Sequence, residues 1–216
     1  MADQAGFSAA ALEEALLDGS VTSDLLPAAP TTVADWEGLL FPDTYEIFAN
    51  DPPARVLQLL ADTAERRVAS VDWSYLEERG LTPYQGVIIA SLIEREAKVD
   101  EERPIVASVV FNRLDIDMLL QIDATVVYAL GGLPPGGLSR DDLQVDSPYN
   151  TYRYQGLPPT PISGTRLASL RAAAAPAETE YLYYVLIDAD GRHAFTGDFD
   201  EFLQLQQQAR EAGLIP

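Results

Sequence analysis

The sequence predicts an α+β domain that is mainly helical, with a small β-element near each end. Three observations predict it. Apolar residues recur at helical spacing over residues 53–69, 83–98 and 101–114. A tyrosine-rich, β-prone run at 181–187 is followed by Asp190-Gly191, a pair suited to a type I′ hairpin turn leading into His193-Ala194-Phe195. A second β-prone run follows the Pro42-Asp43 turn, through Thr44, Tyr45, Glu46 and Ile47.

The elements follow in chain order. Residues 8–18 read as a short helix with Ser8 as N-cap. The Pro/Ala/Thr-rich stretch from Leu26 to Val33 reads as a linker. The main boundary falls there, leaving 1–30 as a remnant with linker and 31–216 as the principal domain. Helix 53–69 presents Val56, Leu59, Leu60 and Thr63 on one side, with Glu65, Arg66 and Arg67 near its end. Thr82 caps the next helix with Pro83 at its first position, and this helix runs to about Lys98. The helix from about Glu101 to Leu114 carries Ile105, Val106, Val109 and Val110, and a shorter one spans 123–130. Residues 131–137 form a Gly/Pro loop, and 147–164 a long aperiodic one of the kind that often carries function. Helix 165–175 stops at Pro176, and Asp198 caps a last helix to about Ala212.

Composition bounds the function. The 216 residues are 47% hydrophobic, enough for a core, and carry a formal charge of −20. So acidic a surface repels phosphate backbones and disfavours nucleic-acid binding; its bland reading is solubility. The absence of cysteine excludes disulfides, thiolate metal sites and a cysteine nucleophile. With one histidine besides, no catalytic zinc site is expected, and no cofactor. Asp115, Asp117 and Asp123 lack the glycine and closing glutamate of a calcium loop. No apolar run is long enough to span a bilayer, and residues 1–7 carry no signal-peptide pattern. The chain is expected to be either cytosolic or a fragment without its targeting segment.

Glu96 is the first candidate for chemistry. It follows Ile89, Leu92 and Ile93 by seven, four and three residues, and so shares their apolar face. Burial there disfavours its charged form and keeps it protonated nearer neutral pH, as a general acid requires. Glu94 lies at the border of that face. The competing reading is a structural ion pair of Glu96 with Arg95, Arg103 or Arg113. Asp123 is read either as the cap of helix 124–130 or as a partner of the site. Asn112 and Arg113 either line the cleft or hold a structural network. Glu37 sits near the cleft or stiffens the Trp36–Tyr45 segment. Tyr149 and Tyr152 suit sugar stacking, whereas Tyr181, Tyr183 and Tyr184 read as sheet packing. His193, beside a turn, reads as exposed or structural.

Five blocks then occur in order. They are Glu37-Gly38 with Phe41-Pro42-Asp43-Thr44-Tyr45; Ile88 to Glu96; Glu102 to Leu114; Leu120-Gln121-Ile122-Asp123-Ala124-Thr125 to Gly131; and Asp146-Ser147-Pro148-Tyr149-Asn150-Thr151-Tyr152 with Gly156-Leu157-Pro158-Pro159 and Pro161-Ile162. Together they resemble the MltG (YceG-like) family of endolytic murein transglycosylases over about residues 35–210. The resemblance implies a lysozyme-like catalytic domain that cuts the β-1,4 bond between N-acetylmuramic acid and N-acetylglucosamine within glycan strands. The cut uses no water and leaves 1,6-anhydromuramic ends. It implies Glu96 as the single catalytic acid and base. It also implies substrate contacts from Gln121, Asp123, Tyr149, Asn150, Thr151, Tyr152, Glu37 and Asn112, and no metal. Its partners would be peptidoglycan strands and penicillin-binding proteins or other synthases. It implies a single membrane anchor ahead of this chain, the catalytic domain on the outer face, and residues 1–30 as the tail of a LysM-like domain.

The chain departs from the family pattern in two places. Ala97 stands where a threonine usually follows the glutamate, and Ile122-Asp123-Ala124-Thr125 replaces Thr-Asp-Pro-Thr. The rival to an enzyme is a module that binds glycan or synthases without cutting. A third reading is a lysozyme-type hydrolase, for which Asp123 would be the second carboxylate.

Overall fold

Three helices begin on side chains that the sequence places just ahead of them. The computed structural model describes residues 7–48 and 50–215. Ser8 accepts from the Ala11 N–H at the start of α1 (Ala9–Leu17). Helix α2 spans Pro53–Ala69 and α3 Ser74–Glu77. Thr82 and Gln85 form a reciprocal capping box at the start of α4 (Pro83–Glu96). Helices α5 (Arg103–Asp115), α6 (Asp123–Ala129) and α7 (Leu167–Ala174) follow. A hairpin of β1 (Tyr183–Leu186) and β2 (His193–Thr196) comes next. Asp198 then caps α8 (Phe199–Glu211) by accepting from the Glu201 N–H.

Helix α4 is the axis of the fold. Every residue from Gly86 to Ile93 is buried, so the helix is enclosed on all sides rather than striped. It packs against α5, α6 and α7, and α5 packs against α7. Ile89, Leu92 and Ile93 are wholly buried, and each such side chain stabilises the fold by ~1.5–3 kcal/mol. Gly86 is needed where the Trp73 ring crosses the helix, because a Cβ there would lie 2.3 Å from that ring.

Residues ahead of the linker join the same core. Ala15, Leu16 and Val21 belong to it, and the Trp36 indole donates to the Leu16 carbonyl at 2.8 Å. Gln58 of α2 holds Thr22 through both its backbone groups, each at 2.9 Å. Residues on both sides of the 26–33 stretch therefore pack into one continuous core.

The sheet differs from expectation in two ways. Residues 41–47 form no strand. A strand needs a neighbour to take its backbone groups, and here the Phe41 N–H goes instead to the Leu60 carbonyl of α2. Among the described residues the antiparallel pair β1–β2 is the whole sheet. Its connection is not a two-residue type I′ turn. That turn needs positive φ at both central residues, and Gly191 has it (φ +90°) whereas Asp190 does not. Instead the Ile187 N–H closes a four-residue loop on the Arg192 carbonyl, and Asp188 accepts from the Arg192 N–H.

Candidate active site

Helix α4 ends on Glu96. Its successor Ala97 leaves helical geometry at ψ 115° while its N–H still bonds the Ile93 carbonyl, so the Glu96 side chain leaves from a fixed last turn. That side chain is half-buried. Its Oε2 accepts the Tyr184 hydroxyl at 2.8 Å. Burial pushes its pKa up, and the charge of Asp123 pushes the same way; the Tyr184 hydrogen bond and the charges of His193 and Arg95 pull against them without prevailing. No ion pair to Glu96 occurs among the described residues, so the structural-pair reading is set aside. Tyr184 is itself driven well above the usual phenol range by burial and by the Glu96 charge; it stays a donor.

Arg113, a fixed charge that interacts with Tyr184 and Glu96, is held by backbone instead of by a carboxylate. Its Nε donates to the Leu182 carbonyl at 2.6 Å and its Nη1 to the Leu120 carbonyl. Arg113 thereby ties the segment entering β1, which bears Tyr184, to the segment entering α6.

The α6 entry brings in two more candidates. Asp123 is the first residue of α6 and makes no cap bond, which corrects the cap reading; its Oδ1 accepts the Tyr152 hydroxyl at 2.5 Å. Burial, then the hydrogen bond to Asp123, raise the Tyr152 pKa, and the Glu96 charge adds to this. Gln121 is exposed and left-handed at φ 49°. Outside glycine such a conformation carries strain and is enriched at functional sites. Its N–H is pinned to the Thr151 carbonyl at 3.0 Å.

The remaining candidates divide. Asn150 and Thr151 are buried. Asn150 donates to the Leu143 and Val145 carbonyls, and Thr151 accepts from the Ile122 N–H and bonds Thr125. Their expected substrate contacts give way to bracing the 147–154 loop on α6. Asn112 likewise holds the Thr179 and Tyr181 carbonyls at 2.9 Å each and borders a separate groove of about 490 Å³ with Tyr75 and Arg79. Glu37 and Tyr149 gather elsewhere. Tyr149 bonds Thr160 at 2.8 Å and lies 4.8 Å from the Tyr128 ring. Tyr128 rises to about 12 through burial and the Glu37 charge, and burial raises Glu37 as well.

The residue missed in the sequence is Tyr184. Strand alternation offered a signal: Tyr183 stacks on Phe202 of α8, which turns its neighbour to the other face. His193, read as exposed or structural, is held by Glu102 and packs edge-on to Tyr184.

A helical core presenting one carboxyl of raised proton affinity, with a hydroxyl but no cation on it, defines a site able to do general acid–base chemistry. The YceG-like family matches residues 2–208, and the chain belongs to that family. It is 38% identical over 167 residues to an endolytic murein transglycosylase of Bacillus subtilis, covering 76% of this chain and 45% of that protein. It is 32% identical over 160 residues to one of Streptococcus pneumoniae, covering 72% of this chain and 29% of that protein. The chain thus spans less than half the length of either relative. The crystal structure of a yceG-like protein from Listeria monocytogenes superposes with a TM-score of 0.79 at 31% identity, over 94% of this chain and 69% of that one. Among the described residues no helix is long and apolar enough to cross a membrane.

Proposed function

We propose that this chain carries the catalytic unit of an endolytic peptidoglycan lytic transglycosylase, with Glu96 as its acid and base. The observation that carries the reading is the Glu96 carboxyl itself: last residue of the buried α4, raised in proton affinity by burial, and without a cation on it. The names of the relatives supply the substrate class.

The protonated Glu96 gives its proton to the oxygen leaving the muramic C1. Positive charge grows on the ring as that bond breaks. Glu96, now ionised, takes the proton of the C6 hydroxyl as that oxygen closes on C1, leaving the 1,6-anhydro end and no added water. The Tyr184 hydroxyl steadies the ionised stage. General acid–base assistance of this kind contributes ~10²–10⁴-fold. A second carboxylate, which hydrolases of glycosides ordinarily need, is replaced by the substrate's own hydroxyl. In this reading Asp123 and Tyr152, which interact electrostatically with Glu96, contact the substrate together with Gln121, and Glu37 and Tyr149 contact the strand further along. The catalytic region is a lysozyme-like domain, and residues 1–30 are the tail of a LysM-like one. In the whole protein a single anchor ahead of this chain places it on the outer face of the membrane, where it trims or terminates strands beside their synthases.

The test is mass spectrometry of purified peptidoglycan digested with this chain and with Glu96→Gln. Anhydromuramic ends from the parent and none from the variant are expected. Reducing ends bearing an added water would make it a hydrolase, with Asp123 as second carboxylate. No product from either protein would favour the glycan- or synthase-binding module.

A further inference from the structure

We infer that Arg113, with Asn112 beside it on α5, is a positioning residue of the Glu96 site: the two side chains fix where β1 begins and so hold the Tyr184 hydroxyl on the acid. The inference rests on the acid–base reading of Glu96. The Tyr184 hydroxyl reaches Glu96 from 88 residues along the chain, so its place depends on what anchors the hairpin. That anchor is α5. Asn112 donates to the Thr179 and Tyr181 carbonyls at 2.9 Å each, and the Arg113 Nε donates to the Leu182 carbonyl at 2.6 Å. All three carbonyls belong to the five residues that lead into Tyr184.

Arg113 grips the chain where the strand begins. Leu182 gives its N–H to the Thr196 carbonyl of β2 at 3.0 Å while its own carbonyl goes to Arg113. The Tyr183 ring centre lies 5.5 Å from the guanidinium carbon, and the same ring stacks on Phe202 of α8. With Leu182 and Tyr183 held, strand alternation turns Tyr184 to the face opposite Tyr183. The other arm of the fork is held as well. Its Nη1 donates to the Leu120 carbonyl, and Arg113 as a whole is 7% exposed. A planar guanidinium keeps two carbonyls of separate segments in one geometry, whereas an ammonium on a flexible stem is a point charge without a fork.

The contacts close a circuit. Helix α4 carries Glu96 and packs against α5. Helix α5 holds the segment entering β1. Strand β1 returns the Tyr184 hydroxyl to Glu96 at 2.8 Å. A loosened joint between α5 and β1 therefore moves the hydroxyl relative to the acid, and a small misplacement of a positioning group has a large cost in rate. The hydroxyl sits on the acid and not on the sugar strand, so its displacement lowers kcat more than it raises KM. An arginine that served stability alone would lower the melting temperature when replaced and leave the Tyr184 hydroxyl on Glu96 in the folded protein.

The experiment follows the isotope-labelled tyrosine Cζ by NMR, whose resonance reports the hydrogen bonding of the phenol. The Tyr184 signal is assigned by its loss in Tyr184→Phe, and its position without an acceptor is read in Glu96→Ala. In Arg113→Lys, and to a smaller extent in Asn112→Ala, the signal should move toward that position. In Arg113→Lys, kcat on peptidoglycan should fall by about tenfold with KM changed less than about twofold. Made in Tyr184→Phe, the same substitution should lower kcat by less than about threefold, because the group it acts through is already gone. A Tyr184 signal unmoved in folded Arg113→Lys, or equal kcat losses in the two backgrounds, would overturn the inference. If Arg113→Lys does not fold, an unmoved signal in Asn112→Ala would overturn it equally. A moved signal with no cutting by the parent would leave the positioning standing and remove the transglycosylase reading.

Discussion

Glu94 and Glu96 lie two residues apart on the last turn of α4, about 200° around the helix from each other, and their environments are opposites. Glu94 faces α7 and is enclosed by partners. Ser169 donates to it at 2.7 Å and Arg166 at 2.8 Å, and Arg103 stands 3.4 Å away. Burial pushes its pKa up, but the Ser169 and Arg166 bonds outweigh burial and bring it below the ordinary value. Glu96 faces the hairpin and receives one neutral hydroxyl. Burial there prevails, and its pKa rises. Burial pushes both pKa values up, yet one group is a structural anion and the other a proton carrier: cations and several donors meet Glu94, whereas Glu96 has deeper burial and a single neutral donor.

The largest expected effect breaks the open side. Glu96→Gln should lower kcat on peptidoglycan by about 10²–10⁴-fold. It should also stabilise the protein at neutral pH. A raised folded pKa means that the folded state binds more protons than the unfolded state between the two pKa values, so stability falls as pH rises through that window. The penalty grows in the parent as pH rises above the unfolded carboxyl value and is absent in the variant. A melting-temperature gain of roughly 2–4 °C at pH 7, vanishing below about pH 4, is expected by calorimetry. A loss of stability at pH 7 would contradict it.

Breaking the closed side comes next. Arg103 is 1% exposed and also bonds Asp100 and Ser169. Arg103→Ala leaves the half-buried Glu94 without its buried cation and should destabilise by about 3–5 kcal/mol in urea unfolding. A change under about 1 kcal/mol would show that exposed Arg166 suffices.

Tyr184→Phe sharpens the comparison by making Glu96 more isolated still. The carboxylate loses its donor, so kcat should fall by roughly tenfold, in keeping with one hydrogen bond to a charged group. The alkaline limb of the pH–rate profile should move up. An unchanged profile would mean that the hydroxyl only packs.

The smallest effect is on acid stability. The Glu94 contribution is present above the unfolded carboxyl value and lost as pH falls through the lowered folded one. Glu94→Gln should cost about 1–2 kcal/mol at pH 7. Parent and variant should converge in strong acid, as read from unfolding midpoints against pH.

Some of the site was legible before any fold was known, and the reason is locality. The Glu96 placement follows from Ile89, Leu92 and Ile93, all within two turns. Of the two readings of Asp123, the cap failed at the same scale: the residue stands one position too late, as the first helical residue, and its carboxylate accepts the Tyr152 hydroxyl instead. Asn150 was expected at the substrate through the family resemblance alone. The loop instead folds over α6, and the Leu143 and Val145 carbonyls take the amide inward.

The sequence by itself determined where helices start and which of their faces are apolar. Ser8, Thr82 and Asp198 cap as expected, since a cap bond reaches only three residues along the chain. It also placed a carboxylate at the end of an apolar helix. Only the tertiary structure decided what meets that carboxylate. Tyr184 is 88 residues away, and Arg166 and Ser169 reach Glu94 across 72 and 75. Which partner reaches which carboxylate depends on how α5, α7 and the hairpin pack around α4, a matter of long-range packing on which local spacing has no hold.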